Sequence, residues 1–152
     1  AGGGLGAVVR GGPAAWGLRG RWHRWRAEVV LDCAHNVEGL TATGKALAAM
    51  KQPLRIVYGT VADKDVPEAL GCLPPAIQHY WCAADVPRAM AAEELSHKAA
   101  SEGRQGVVCD SVEDALHRAI ADRQGGEMVA VLGSVFTVGE ALSALESEPR
   151  RG

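Results

Sequence analysis

The sequence predicts a three-layer α/β/α sandwich on a six-stranded, mainly parallel sheet, and three observations carry that reading. Short apolar, β-branched runs alternate with helix-length segments along most of the chain. Runs such as Val29-Val30-Leu31 and Met128-Val129-Ala130-Val131-Leu132 are apolar throughout, as strands covered on both faces are. Polar, chemically capable side chains recur just past one strand after another, the edge where open α/β sheets bind ligands.

Residues 1–19 are rich in Gly, Pro and Ala and read as a linker or disordered segment. The segment Gly20-Arg21-Trp22-His23-Arg24-Trp25-Arg26 alternates aromatic and basic residues, which fits an amphipathic edge strand better than a nucleic-acid patch. Glu28 to Asp32 is a buried strand, and the helix from Val37 to Met50 is capped by Asn36. Leu54 to Gly59 is a strand; Val66 to Cys72 is a short helix stopped by Pro74 and Pro75. Ile77 to Cys82 is a strand, and Ala91 to Ser101 is a helix with Glu93 and Glu94 in its first turn and Gly103 past its end. Gly106 to Cys109 is a short strand. Ser111 caps the helix Val112 to Arg123, with Asp114 three residues on as in a capping box. Glu127 to Leu132 is the last strand, Thr137 to Glu146 the last helix, and 148–152 a polar tail.

Composition bounds the function. At 152 residues the chain fits one domain with a core of its own. Sixteen Lys plus Arg against eighteen Asp plus Glu leave a net charge of −2, which gives no electrostatic reason to expect nucleic acid or an anionic membrane as partner. No apolar run approaches the ~18 residues of a spanning helix, and no secretory signal is recognisable. The four cysteines, Cys33, Cys72, Cys82 and Cys109, are scattered without metal-type spacing, so they read as reduced thiols of a cytoplasmic protein.

The candidate site is the set of post-strand residues: Asp32-Cys33-Ala34-His35-Asn36, Thr60 to Asp65, Ala83 to Arg88, Asp110-Ser111 and Gly133-Ser134-Val135-Phe136. Asp32, His35, Lys64, Asp85, Arg88 and Ser134 are expected on one edge of the sheet. Lys64, Arg88 and His35 suit carboxylate or phosphate, Asp32 suits sugar hydroxyls, and Gly133-Ser134 opens a helix whose N–H groups can hold an anion. Each group has a plainer reading. Asn36 can be a cap only, Asp63-Lys64-Asp65 a solvated turn, and Arg88 a surface cation.

One motif is a decoy. Gly39 to Ala46 follows G-x-x-x-x-G-K-[ST] for seven positions, but Ala46 has no hydroxyl for Mg²⁺ and the stretch lies inside a helix rather than between strand and helix. No nucleophile elbow and no zinc signature are present.

Taken together, Gly20-Arg21-Trp22, Asp32-Cys33-Ala34-His35-Asn36, Asp63-Lys64-Asp65, Pro87-Arg88-Ala89 and Gly133-Ser134-Val135-Phe136 resemble, in order and spacing, the C-terminal domain of folylpolyglutamate synthase/dihydrofolate synthase, a Mur-ligase-type amide ligase. The resemblance implies that 20–147 form this Mur-ligase-type C-terminal domain. It implies a Rossmann-like sheet whose first strand is antiparallel. It further implies an ATP-dependent reaction in which a folate or dihydropteroate carboxylate becomes an acyl phosphate and L-glutamate attacks it. ATP and Mg²⁺ would be held mainly by an N-terminal ATPase domain outside this chain, so the chain alone is expected to be inactive and monomeric. Carried over position by position, Arg21 and Asp32 would contact ATP. His35, the catalytic candidate facing the transferred phosphate, would join Asn36, Lys64 and Ser134 in contacting phosphate and glutamate. Asp63, Asp65 and Arg88 are further candidates, and no residue is expected to bind metal. Two other readings stand beside this one: a catalytically silent binding module that keeps the ligase fold, and a cell-wall Mur ligase domain with another amino acid as substrate.

Overall fold

The computed structural model describes residues 23–26 and 28–147. Arg21, the linker over 1–19 and the tail over 148–152 lie outside the described residues.

Among the described residues, six strands and five helices alternate as expected. They are β1 (His23–Arg26), β2 (Val29–Asp32), α1 (Val37–Ala49), β3 (Leu54–Tyr58), α2 (Val66–Gly71), β4 (Gln78–Trp81), α3 (Ala92–Ser101), β5 (Gly106–Val108), α4 (Val112–Asp122), β6 (Met128–Leu132) and α5 (Val135–Glu146). The strands form one sheet in the order β1-β2-β6-β3-β4-β5. β1 is antiparallel to β2, with a register shift between Arg24 and Arg26, and every other pairing is parallel.

Handedness then fixes the layers. The connections from β2 to β3, β3 to β4 and β4 to β5 all step the same way, so right-handed crossovers put α1, α2 and α3 on one face. The connection from β5 back to β6 steps the other way and puts α4 on the opposite face. Two apolar cores result. Leu40, Leu47, Leu70 and Leu95 cover Val30, Ile56, Tyr58 and Trp81 on the first face. Val112, Leu116, Val138 and Leu142 cover Leu31, Val57, Tyr80 and Val131 on the second. β6 is buried at all five positions, which is why its sequence does not alternate.

The caps follow the local chemistry. Asn36 Oδ1 accepts from Gly39 N at 2.7 Å, and Ser111 Oγ accepts from Asp114 N at 2.9 Å. The Asp114 carboxylate accepts in turn from Asp110 N at 3.1 Å, completing a capping-box-like exchange. The last helix starts earlier than the sequence suggests, at Val135 rather than Thr137, because Ser134 Oγ caps the N–H of Thr137 at 3.0 Å. Lys45 of the P-loop decoy lies within α1.

Candidate functional site

The strand order creates the site. β6 lies between β2 and β3, but α5 leaves β6 toward one face while α1 and α2 leave β2 and β3 toward the other. Adjacent strands whose helices diverge leave a crevice at their carboxyl ends. The loops after β2, β3, β4 and β6 meet there.

These loops are tied to one another. Gly133 N donates to Ala34 O at 2.9 Å, joining the loops after β6 and β2. Thr60 Oγ1 donates to Gly133 O at 2.9 Å, and Thr137 Oγ1 donates to Gly59 O at 2.8 Å, joining β6 to β3. An isolated bridge pairs Val61 with Ala89, flanked by Ala62 N donating to Arg88 O and Met90 N to Thr60 O. Glu140 on α5 accepts from Asp85 N at 2.7 Å. The Asp63-Lys64-Asp65 turn, Arg88 and the start of α5 are thereby held in one frame.

Two cavities open in this frame. One, of about 220 Å³, is lined by Cys33, His35, Val61, Arg88, Ser134, Val135 and Phe136. The other, of about 230 Å³, is lined by His35, Asn36, Thr60, Val61, Asp63, Asp65 and Val66. His35 and Val61 border both. The first combines an apolar wall, a guanidinium and the amino end of α5; the second is the more polar. The first N–H groups of a helix lack partners within it and carry its positive dipole end, so the starts of α1 and α5 both favour anions.

Residues 20–135 fit the family described as Mur ligase, glutamate ligase domain. The chain belongs to that family. Among curated relatives of this Mur ligase domain, the dihydrofolate synthase/folylpolyglutamate synthase of Escherichia coli is 31% identical over 151 residues, which cover 95% of this chain and 35% of that protein. A probable bifunctional folylpolyglutamate synthase/dihydropteroate synthase of Haloferax volcanii is 35% identical over 117 residues, 74% of this chain and 14% of that one. The chain thus spans about a third or less of the length of these relatives. Among solved structures, the ligand-free folylpolyglutamate synthase/dihydrofolate synthase of Yersinia pestis is 29% identical with a TM-score of 0.71, covering 78% of this chain and 29% of that one. The Mycobacterium tuberculosis folylpolyglutamate synthase complexed with ADP is 26% identical with a TM-score of 0.71, covering 87% and 33%. The resemblance read from the motifs is therefore borne out, as is the fold with its antiparallel first strand.

The residues singled out in the sequence fall differently within the frame. His35, Asn36, Arg88 and Ser134 line the cavities, and so do Asp63 and Asp65. His35 and Asn36 are exposed, and His35 Nδ1 lies 3.2 Å from Cys33 O. Lys64 is exposed at the tip of its turn, beside the second cavity rather than in its wall. Asp63 Oδ1 accepts from Asp65 N at 3.0 Å, which shapes that turn. Ser134 is 5% exposed, and its hydroxyl both caps α5 and donates to Thr137 Oγ1 at 3.0 Å. Its direct contribution to the cavity is therefore backbone.

Asp32 is turned inward. It is 1% exposed, and its carboxylate accepts from Ala34 N at 2.9 Å and from Thr43 Oγ1 at 2.8 Å. A sugar hydroxyl would reach it only if the loop over it moved. In the present arrangement Asp32 sets the path of Cys33-Ala34-His35 and ties it to α1.

Cys33, Val61, Val135 and Phe136 lie in the post-strand stretches expected at the site, and the sequence assigns them no individual role. Val135 and Phe136 are exposed at 56% and 38%, two apolar side chains left open at the start of α5. The Cys33 thiol is pushed up to about 12 by burial and by the neighbouring Asp32 charge, so it is a neutral wall group and no nucleophile. Among the described residues no group of three or more His, Cys, Asp or Glu side chains is placed to hold a metal ion. Among the described residues no helix is long and apolar enough to cross a membrane.

Proposed function

We propose that this chain supplies the glutamate-handling part of an ATP-dependent ligase that adds L-glutamate to a folate or dihydropteroate carboxylate through an acyl phosphate. In this reading the chain contributes contacts to phosphate and glutamate, Asp32 meets the ATP ribose only once its loop has moved, and a partner ATPase domain supplies the phosphate-binding loop and the Mg²⁺ ligands. The observation that carries it is the convergence of His35, Asn36, Arg88 and the start of α5, from three separate post-strand loops, on adjoining cavities at the switch point.

The chemistry fits the substrate. Glutamate brings two carboxylates, which call for cations and N–H donors; Arg88, Lys64, His35 and the helix starts provide both. The attacking amine meets an acyl phosphate whose charge grows as the bond forms, and preorganised donors stabilise that charge. Cys33, Val61 and Phe136 give the cavity beside Arg88 an apolar wall.

The test is reconstitution. The chain is mixed with a matching N-terminal ATPase domain, and ADP release is followed with and without L-glutamate and folate. Glutamate-dependent release supports the reading. Binding without turnover, across folate, dihydropteroate and cell-wall acceptors alike, would leave the silent-module reading in its place.

A further inference from the structure

We infer that Thr60 and Thr137 are positioning residues that set the affinity for the incoming glutamate, by clamping the loops after β3 and β6 to each other. The inference rests on the ligase reading above and concerns residues that the family motifs do not include.

The two hydroxyls are used reciprocally. Thr60, two residues past β3, donates to the carbonyl of Gly133 at 2.9 Å; Thr137, in the first turn of α5, donates back to the carbonyl of Gly59 at 2.8 Å. Each threonine is next to, or a turn away from, the carbonyl that the other one binds. Both are buried, at 4% and 0% exposure, so neither bond competes with bulk water. Thr137 also accepts from Ser134 Oγ, and its own N–H donates to Ser134 Oγ, so the cap of α5 is part of the same chain of bonds.

The clamp bridges a place where the backbones nearly touch. A Cβ on Gly133 would stand 2.0 Å from Gly59 O, and one on Gly59 would stand 2.7 Å from Cys82 O and 3.0 Å from Thr137 Oγ1. Such close approach fixes the distance between the two loops, and the two hydroxyls fix their rotation. On one loop is the start of α5 at the cavity wall; on the other is the turn that carries Lys64. The pull of a helix N-terminus on an anion falls off within its first turn. A small displacement of α5 relative to that turn therefore weakens carboxylate binding while leaving the reacting groups in place.

The experiment uses Thr60→Val and Thr137→Val, which keep shape and remove the donor, with Thr60→Ser and Thr137→Ser as controls that keep it. In a full-length ligase carrying this chain, each valine variant is expected to raise the KM for glutamate about 3- to 30-fold with kcat nearly unchanged. The serine variants should restore it. In the 152-residue chain itself, amide exchange at Thr137 and Val138 should quicken in the valine variants and stay normal in the serine variants. A lower melting temperature with an unchanged glutamate KM would overturn the inference. So would a fall in kcat alone, unchanged amide exchange, or failure of both valine variants to fold while the serine variants are normal. If the unsubstituted ligase shows no glutamate-dependent turnover, the ligase reading is what fails, and the exchange rates alone decide the clamp.

Discussion

Replacing Asp32 by alanine removes an acceptor that is nearly inaccessible to water and strands two donors. The Ala34 N–H and the Thr43 hydroxyl would lose bonds of 2.9 Å and 2.8 Å to a carboxylate. A hydrogen bond to a charged group contributes about 1.5–3 kcal/mol. Thr43 is 5% exposed, so water cannot fully replace its lost partner, whereas the half-exposed Ala34 amide recovers part of its loss. The net expectation is a destabilisation of about 3–5 kcal/mol, a large share of a typical total of about 5–15 kcal/mol. Urea unfolding of the 152-residue chain, followed by the fluorescence of the buried Trp81, measures it directly. The companion measurement is a double-mutant cycle with Thr43→Val. If the Asp32–Thr43 bond is as the geometry indicates, the two substitutions are non-additive by about 1–3 kcal/mol. A cost for Asp32→Ala below about 0.5 kcal/mol, or full additivity with Thr43→Val, would refute the inward role assigned to this carboxylate.

Three further outcomes are expected. Gly133→Ala should destabilise the chain by about 3 kcal/mol or more and should not be rescued by a smaller neighbour, because φ is +120° there and the added Cβ meets backbone oxygen; a melting shift under 2 °C on thermal unfolding would contradict this. Stability should fall as pH drops below about 6.5, the usual value for histidine. Burial lowers the pKa of His79: Nδ1 faces Gln105 O at 3.1 Å, Nε2 has no partner among the described residues, and the Arg104 charge is nearby. The unfolded chain therefore binds a proton that the folded one refuses, and unfolding curves at pH 7 and 5.5 should converge in His79→Gln. Within a full-length ligase, Lys64→Ala should weaken glutamate use about 10- to 150-fold through loss of a charge-assisted bond, while His35→Ala should lower kcat and kcat/KM together. Steady-state kinetics with glutamate and ATP varied separately distinguish the two, and an unchanged glutamate dependence in Lys64→Ala would remove that residue from the site.

The sequence by itself determined the elements. Strand and helix identities follow from local periodicity, and the caps at Asn36 and Ser111 follow from side chains that reach their own backbone three residues away. Such signals are contained within a turn or two of chain, so they are legible without a fold. The placement of His35, Asn36 and Arg88 at one sheet edge was legible too, because parallel strands send all their carboxyl ends the same way. The family resemblance added the antiparallel β1, which no local signal encodes.

Tertiary structure decided what the local code could not carry. Nothing in the residues of β6 says that it inserts between β2 and β3, yet that insertion brings Gly133 against Gly59, 74 residues earlier in the chain, and opens the crevice. The bonds Thr60–Gly133 and Thr137–Gly59 span 73 and 78 residues and look, in sequence, like any threonine after a strand or in a first helical turn. Asp32 reads as an open ligand group from its motif, but Thr43 lies eleven residues on, within a helix whose inward face meets the end of β2, and it turns the carboxylate into the protein. Lys64 reads as a wall residue, but the bridge between Val61 and Ala89 fixes the turn so that Asp63 and Asp65 face the cavity and Lys64 stands at its rim. Side-chain chemistry is written residue by residue. Which backbone group each side chain meets depends on strand order and crossover hand, and those are settled only when the two cores on either side of the sheet are buried together.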